Sequence, residues 1–250
     1  MWPWPVDTLQ SALGSPVVLL NEPPPTQADL HFRLFGFPVR VHPLFWLVAV
    51  ILGMKEPGGA PGILAWITAM FVGILVHELG HAAAMRWYGF HPWITLHGLG
   101  GAASYNPIAS ASHRGSATSS QIMISAAGPV AGFLLAGVLV TALKLAGQEV
   151  HVVPLGWAGI GVLLAPLGSW PLTWFLESLL YISIQWGLLN LLPIYPLDGG
   201  QIAREAFVAA SRNGLSQSLL LSVATGVMQR LTQAVDRKST RLNSSHVSES

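Results

Sequence analysis

Long apolar stretches separated by short polar segments run through most of the chain. Three of them, Pro61–Tyr88, Gln121–Leu145 and Pro171–Leu192, reach the length of about 20 residues that a helix needs to cross a membrane. Two others, Pro43–Met54 and Leu215–Leu231, are shorter and need flanking residues to do so. This pattern predicts an all-α polytopic membrane protein with about five spans, and a sixth if the native chain continues past residue 236.

Three other segments have different patterns. His31–Val41 is typical of an edge strand, and Pro92–Tyr105 alternates around a Gly-Gly turn, which predicts a small membrane-associated β-hairpin. Residues 152–168 are apolar but rich in glycine and proline. This last segment either crosses the membrane or re-enters it, and we favour re-entry.

The composition agrees with a polytopic membrane protein. Hydrophobic residues make up 52% of the chain and charged residues 9%, whereas about a quarter of the residues in soluble domains are charged. The net charge of +1 gives no electrostatic basis for binding nucleic acid. Cysteine is absent, which excludes disulfides and thiol chemistry.

Candidate chemistry lies inside one of the apolar stretches. Positions 77–81 read HELGH, an HExxH motif, and His77, Glu78 and His81 are the only ionisable side chains between residues 61 and 85. Such groups cost a few kcal/mol each at membrane depth, so something must compensate for them. On a helix the two histidines share a face and can bind one Zn²⁺, and Glu78 is placed to act as a general base. A buried structural histidine would explain one of these groups, but not a carboxylate between two histidines.

Asp198 is the candidate third ligand, at the end of the apolar run Leu179–Leu197. Pro193 and Pro196 prevent a regular helix before it, and irregular backbone at membrane depth is tolerated only where it lines a cavity or water. Asp198 could instead form a turn or cap the next helix at the membrane surface, and taken alone that is the better interpretation. Beside the HExxH motif, we favour Asp198 as a metal ligand.

These segments resemble the site-2 proteases, zinc metalloproteases that cleave transmembrane helices within the bilayer. The HELGH helix and the segment Asn190-Leu-Leu-Pro…Leu-Asp-Gly-Gly match the family's two most specific motifs, in the family's order. Supporting matches are Phe37–Pro43, Gly100-Gly101 and Ala127–Gly132. The resemblance covers residues 31–231 and is to a compact form without PDZ-like or CBS-like modules.

The resemblance implies a function and a set of site residues. The three ligands named above would hold one Zn²⁺ per chain, with Glu78 as the catalytic base. Asn190, Gly100 and Gly101 would bind the substrate, a transmembrane protein in the lipid bilayer. The hairpin 92–105 offers a strand edge that can pair with an unwound substrate segment.

The domain division follows from the same observations. Residues 1–30 are expected to form a flexible Pro-rich arm, and 31–236 an intramembrane protease domain. Residues 237–250 differ abruptly in composition and are interpreted as a non-native tail.

The distribution of lysine and arginine predicts the orientation, because loops rich in these residues stay in the cytoplasm. If residues 152–168 do not cross, most basic residues near the spans fall on one side. They are Arg33, Arg40, Arg86, Arg114, Arg204 and Arg212. We therefore expect the N-terminus and the opening of the site to face the cytoplasm, in a prokaryotic plasma membrane.

Two alternatives to a protease stay open. A membrane zinc-binding carrier would also place histidine and aspartate in spans, although it would need several exchanging sites and the sequence shows one cluster. An inactive protease-like protein that binds membrane partners is the other, and the complete motif counts against it. The pair Gly128 and Gly132 is interpreted as a site of close helix packing, not of chemistry.

Overall fold

The computed structural model describes residues 22–98, 100–106, 118–154 and 160–212. The helices are α1 (Pro43–Gly53), α2 (Ala60–Trp87), α3 (Thr118–Leu145), α4 (Trp170–Asn190) and α5 (Asp198–Arg212). The strands are β1 (Leu30–Leu34), β2 (Phe37–Val41), β3 (Pro92–His97), β4 (Gly100–Tyr105), β5 (Val150–Pro154) and β6 (Ile160–Leu164). The chain divides into two compact units after Ala203, and the features below lie in the first.

Three of the helices, α2, α3 and α4, are long and apolar enough to cross a membrane. They contain 28, 28 and 21 residues, and at about 1.5 Å per residue each matches or exceeds a hydrocarbon core of about 30 Å. The long apolar helices predicted from the sequence are therefore confirmed. The shorter predicted span Pro43–Met54 is α1, with 11 residues, and the predicted span Leu215–Leu231 lies outside the described residues.

Helix α2 is the centre of the first unit, because it packs on α3, on α4 and on the strands β3 and β4. On the side of α2 that faces these elements, Ala69 and Ile74 are fully buried. Glycine permits the closest approach: a Cβ on Gly80 would lie 2.3 Å from the carbonyl oxygen of Ala127 in α3. A side chain at this position would force the two helices apart.

The strands β1 to β4 form one sheet in the order β1-β2-β3-β4. The predicted hairpin 92–105 is confirmed as β3 and β4, which pair antiparallel, but it belongs to a larger sheet because β2 pairs parallel to β3. The single edge strand expected at His31–Val41 is wrong. The chain turns at Phe35 and Gly36, which have φ of 51° and 82°, so this segment is two antiparallel strands. The predicted class, an all-α protein with one hairpin, is therefore corrected: the described residues form a mostly helical protein with a four-stranded sheet and a separate two-stranded sheet.

The apolar segment that follows α3, for which we favoured re-entry into the membrane, contains a pair of strands. β5 and β6 pair antiparallel, with Val150 opposite Leu164. The backbone N–H of Leu164 donates to the carboxylate of Glu177 in α4 at 2.8 Å. The two ends of the segment are therefore neighbours, and it does not run from one end of α4 to the other.

A buried arginine on β2 fixes the residues that precede the sheet. Arg40 is 2% exposed, and its guanidinium lies 3.2 Å from Asp29 and 3.6 Å from Glu22. Glu22 also accepts hydrogen bonds from Trp93 on β3 and Ser104 on β4. Burial opposes ionisation of Asp29, but hydrogen bonds from Thr26 and the charge of Arg40 outweigh it and lower the pKa of Asp29.

The Arg40 cluster generates a prediction about stability. Arg40→Met keeps most of the side-chain volume but leaves the carboxylates of Glu22 and Asp29 without their buried cation. We expect the free energy of unfolding to fall by about 3 kcal/mol, the scale seen when one partner of a buried ion pair is lost. Unfolding in detergent measures it. The control Arg33→Ala changes an exposed arginine on β1 and should cost no more than about 0.5 kcal/mol. Equal losses would contradict the prediction.

Candidate metal centre

His77 and His81 lie one turn apart on α2 and turn their rings to the same point. Their Nε2 atoms are 3.2 Å apart, and the exposed fractions of the two residues are 3% and 7%. Neither ring is in contact with bulk solvent to any large extent. Two ring nitrogens directed at each other across a buried space are the arrangement that a shared metal ion requires.

Asp198 reaches the same point from a different part of the chain. Helix α4 ends at Asn190, and after a non-helical connection α5 begins at Asp198 itself. One oxygen of its carboxylate, Oδ2, lies 3.2 Å from His77 Nε2 and 3.4 Å from His81 Nε2. Asp198 is therefore both the first residue of a helix and part of the histidine cluster. The two interpretations of the sequence, helix start and ligand, are compatible.

Glycine makes the return to Asp198 possible. A Cβ on Gly199 would lie 2.2 Å from the carbonyl oxygen of Leu191, and one on Gly200 would lie 2.5 Å from the backbone of Ile194. The first turn of α5 thus packs on the backbone of the connection that precedes it. Larger residues would push Asp198 away from the histidines.

The three donor atoms fit a zinc ion. Their separations are 3.2, 3.2 and 3.4 Å, and the edge of a tetrahedron whose ligands lie about 2.0–2.1 Å from its centre is roughly 3.3 Å. Two imidazole nitrogens and one carboxylate oxygen are also a donor set of catalytic zinc sites. Among the residues that the structure describes, these three form the one group of histidine and acidic side chains able to hold a metal ion.

The orientation of the His81 ring is set by α3. Its Nδ1 lies 2.7 Å from the carbonyl oxygen of Ile124, which can only accept, so Nδ1 carries the proton and donates it. In the neutral ring the lone pair is then on Nε2, which faces the cluster. Such outer partners are the usual means of fixing a metal-binding histidine. Nδ1 of His77 is buried without a hydrogen-bond partner among the described residues.

Glu78 is 4% exposed and lies between the cluster and the sheet. Its carboxylate lies beside the backbone of Ala103 in β4. Gly101 lies against it: a Cβ at this position would lie 2.5 Å from Cγ and 2.7 Å from Oε1 of Glu78. The carboxylate is thus held at the strand, one residue along α2 from the first histidine.

A cavity of about 310 Å³ opens at this point. The residues that line it include all three candidate ligands, Glu78, Asn190 and Gly101. Asn190 Nδ2 donates to the carbonyl oxygen of Trp186 at 2.9 Å, which fixes the orientation of its amide. Gly100, which was also expected to bind substrate, packs on the Trp186 ring and is not among the residues that line the cavity. Its φ is 125°, and a Cβ at this position would lie 2.4 Å from the nearest ring atom.

Sequence patterns did not predict the positions of His97, Gln201 and Gly128 at this site. His97 and Gln201 line the cavity. Burial, together with the charges of His42 and Arg40, lowers the pKa of His97 although the charge of Glu22 opposes the shift. Gly128 of α3 lies against the histidine rings. The spacing of Gly128 and Gly132 in the sequence indicated helix packing. The contact of Gly128 with the imidazoles could not be predicted, because it depends on how α2 and α3 approach one another.

The chain is similar to known zinc metalloproteases and to one family of peptidases. The model of Peptidase family M50 matches residues 65–229. Zinc metalloprotease MJ0392 of Methanocaldococcus jannaschii is 26% identical over 175 residues, which cover 69% of this chain and 43% of that protein. Putative zinc metalloprotease Rip3 of Mycobacterium tuberculosis is 26% identical over 223 residues, which cover 79% of this chain and 50% of that protein. The chain therefore spans about half the length, or less, of these relatives.

Among solved structures, the Site-2 Protease from Methanocaldococcus jannaschii matches with a TM-score of 0.48 and 22% identity, over 73% of this chain and 72% of that one. The match of the family model extends over more than half of the 250 residues and includes the HExxH motif and Asp198. The chain belongs to peptidase family M50, the family of the site-2 proteases.

Proposed function

We propose that this protein is an intramembrane zinc metalloprotease that hydrolyses peptide bonds of transmembrane protein substrates. The observation that carries the proposal is the position of Glu78, a buried carboxylate between a three-ligand metal cluster and the edge strand β4. A ligand cluster alone would also suit a carrier. A carboxylate held beside the cluster, next to a surface that can hold a peptide, is the arrangement of a hydrolase.

Each residue has a part in this chemistry. A zinc ion held by His77, His81 and Asp198 would supply the Lewis acid that makes water nucleophilic near neutral pH. Glu78 takes the proton of the attacking water and delivers it to the leaving nitrogen of the peptide bond. Asn190 lines the cavity with its amide fixed by Trp186, and it hydrogen-bonds the substrate backbone.

The edge strand supports a peptide substrate. Among the strands that the structure describes, β4 is last in the sheet order, and it lines the cavity at residues 101–103. A peptide segment can add to such an edge by backbone hydrogen bonds. A helical substrate must first unwind, because a helix already uses its backbone donors and acceptors. Pairing with β4 replaces some of those bonds and presents the peptide carbonyl beside Glu78.

The membrane setting is part of the proposal. Three of the described helices are apolar enough to cross a bilayer. The candidate ligands on α2 are nearer its C-terminal end than its N-terminal end. With the arginines on the cytoplasmic side, the site opens towards the cytoplasm and the lipid bilayer surrounds the helices. Residues 31–236 would then be the intramembrane protease domain.

Removal of a ligand tests the metal centre. The wild-type protein should hold about one zinc per chain, and His77→Ala or Asp198→Ala should weaken zinc binding by more than the roughly 10–100-fold that loss of an outer partner costs. Elemental analysis of protein purified in detergent measures the zinc content. His91→Ala alters an exposed histidine and should leave it unchanged. Full zinc retention in Asp198→Ala would remove Asp198 from the ligand set.

A second prediction separates the base from the ligands. Glu78→Gln preserves the shape of the side chain and leaves the three ligands in place. We expect zinc content to stay at the wild-type level while cleavage of a transmembrane substrate falls at least about 100-fold, because a general base contributes about 10²–10⁴ to the rate. Glu149→Gln, at an exposed carboxylate, is the control and should cleave normally. Normal cleavage by Glu78→Gln would refute the mechanism.

Gly101 tests the approach of the edge strand. In Gly101→Ala the new methyl group would overlap the Glu78 carboxylate, so the strand or the carboxylate must move. We expect wild-type zinc content but a loss of cleavage of about 100-fold, the effect of a displacement near 1 Å. Gly137→Ala, where a Cβ meets nothing within 4 Å, is the matched control. Loss of zinc together with cleavage would place the effect at the metal instead.

A further inference from the structure

Gly128 lies on α3 directly opposite the two imidazoles. A Cβ built on Gly128 would lie 2.1 Å from His81 Nε2 and 2.7 Å from His77 Nε2. Ordinary contacts between such atoms are about 3.5–4.0 Å, so these distances are far too short for packing. The first is close to a zinc–nitrogen bond of about 2.0–2.1 Å. The missing side chain therefore leaves open a volume at bonding distance from His81 Nε2 and close to His77 Nε2.

We propose that Gly128 reserves the volume of the metal ion, so that glycine at this position is a requirement for metal binding and not for helix packing. The proposal rests on the metalloprotease function given above. It assigns to α3, which supplies none of the ligand side chains, a direct part in metal binding. Gly128 would be a residue that determines whether the three ligands can be loaded.

A second contact of α3 keeps the His81 ring from avoiding an added methyl group. Ile124 lies one turn before Gly128, and its carbonyl oxygen accepts the hydrogen bond from His81 Nδ1 at 2.7 Å. The same helix thus meets both nitrogens of this ring, with a carbonyl at Nδ1 and with the bare Cα of Gly128 at Nε2. Rotation of the ring away from a methyl group at residue 128 would break the bond to Ile124.

The other glycines of α3 have different surroundings. A Cβ on Gly132 would lie 3.0 Å from the carbonyl oxygen of Ser183 in α4, which is a helix-packing contact. A Cβ on Gly137 would have no neighbour within 4 Å. At Gly128 the three nearest atoms all belong to the histidine rings. One helix therefore supplies a test position, a packing control and an open control for the same substitution.

The first experiment measures zinc in these variants. Wild type, Gly128→Ala, Gly132→Ala and Gly137→Ala are purified in detergent, stripped with a chelator and titrated with Zn²⁺, and the melting temperature is recorded with and without the metal. We expect wild type, Gly132→Ala and Gly137→Ala to bind about one zinc and to melt at a higher temperature with it. Gly128→Ala should bind zinc at least about 100-fold more weakly, and zinc should not raise its melting temperature. The loss should exceed that caused by removing a residue that only hydrogen-bonds a ligand, because the methyl group occupies the position of the metal itself.

A second experiment separates the metal volume from packing without using metal. In a His77→Ala/His81→Ala background, Gly128→Ala has no imidazole to meet, so it should leave the melting temperature unchanged or raise it slightly, since alanine favours a helix over glycine. A fall in that background would show that Gly128 serves packing and would overturn the proposal.

The outcomes distinguish this inference from the proposed function. Zinc binding by Gly128→Ala with wild-type affinity would overturn the inference alone, and the protease proposal would stand. Failure of the wild-type protein to bind zinc would overturn both. Loss of zinc in Gly132→Ala as well as in Gly128→Ala would assign the effect to the spacing of α3, and would overturn a specific role for Gly128.

Discussion

The fold is organised around three polar side chains that an apolar helix bundle must bury at one point. His77, His81 and Asp198 are each less than 10% exposed, and burial of such groups is costly unless they compensate one another or bind a metal ion. Two of them come from α2, but the third lies 121 residues after His77. The chain must therefore leave α4 through an irregular connection and return, and α2 must be central enough for α3, α4 and the strands β3 and β4 to pack on it.

The elements around this point approach it with backbone instead of side chains. Gly80 allows α3 to pack closely on α2, and Gly101 allows β4 to approach the Glu78 carboxylate. Gly199 allows the first turn of α5 to fold onto the preceding connection. Backbone is less mobile than a long side chain, so walls made in this way hold the imidazoles and the carboxylate with little freedom. The specificity of the site therefore depends on where side chains are absent as much as on the ligands.

The sequence predicted the parts of the structure that depend on local periodicity. The apolar length of α2 and the four-residue spacing of its histidines were sufficient to place both rings on one face. Local patterns could not reveal that β2 pairs with β3, because α1 and α2 separate these strands in the chain. The segment containing β5 and β6 was ambiguous for another reason: a short apolar run with glycine and proline has no period that separates strand from re-entrant loop. The environment of Gly128 depends on how far two helices slide along one another, which no local pattern records.

The edge strand is held from both of its faces. Alternate residues of a strand point to opposite sides, so Gly101 and Ala103 meet Glu78 on α2, while Ser104 on the other face donates to Glu22 in the segment that Arg40 fixes. An edge strand that nothing holds is free to twist or fray. Here its geometry is set before a partner arrives. For the proposed protease this matters energetically, because the substrate must give up helical hydrogen bonds before cleavage, and a pre-organised edge does not add an ordering cost of its own to that step.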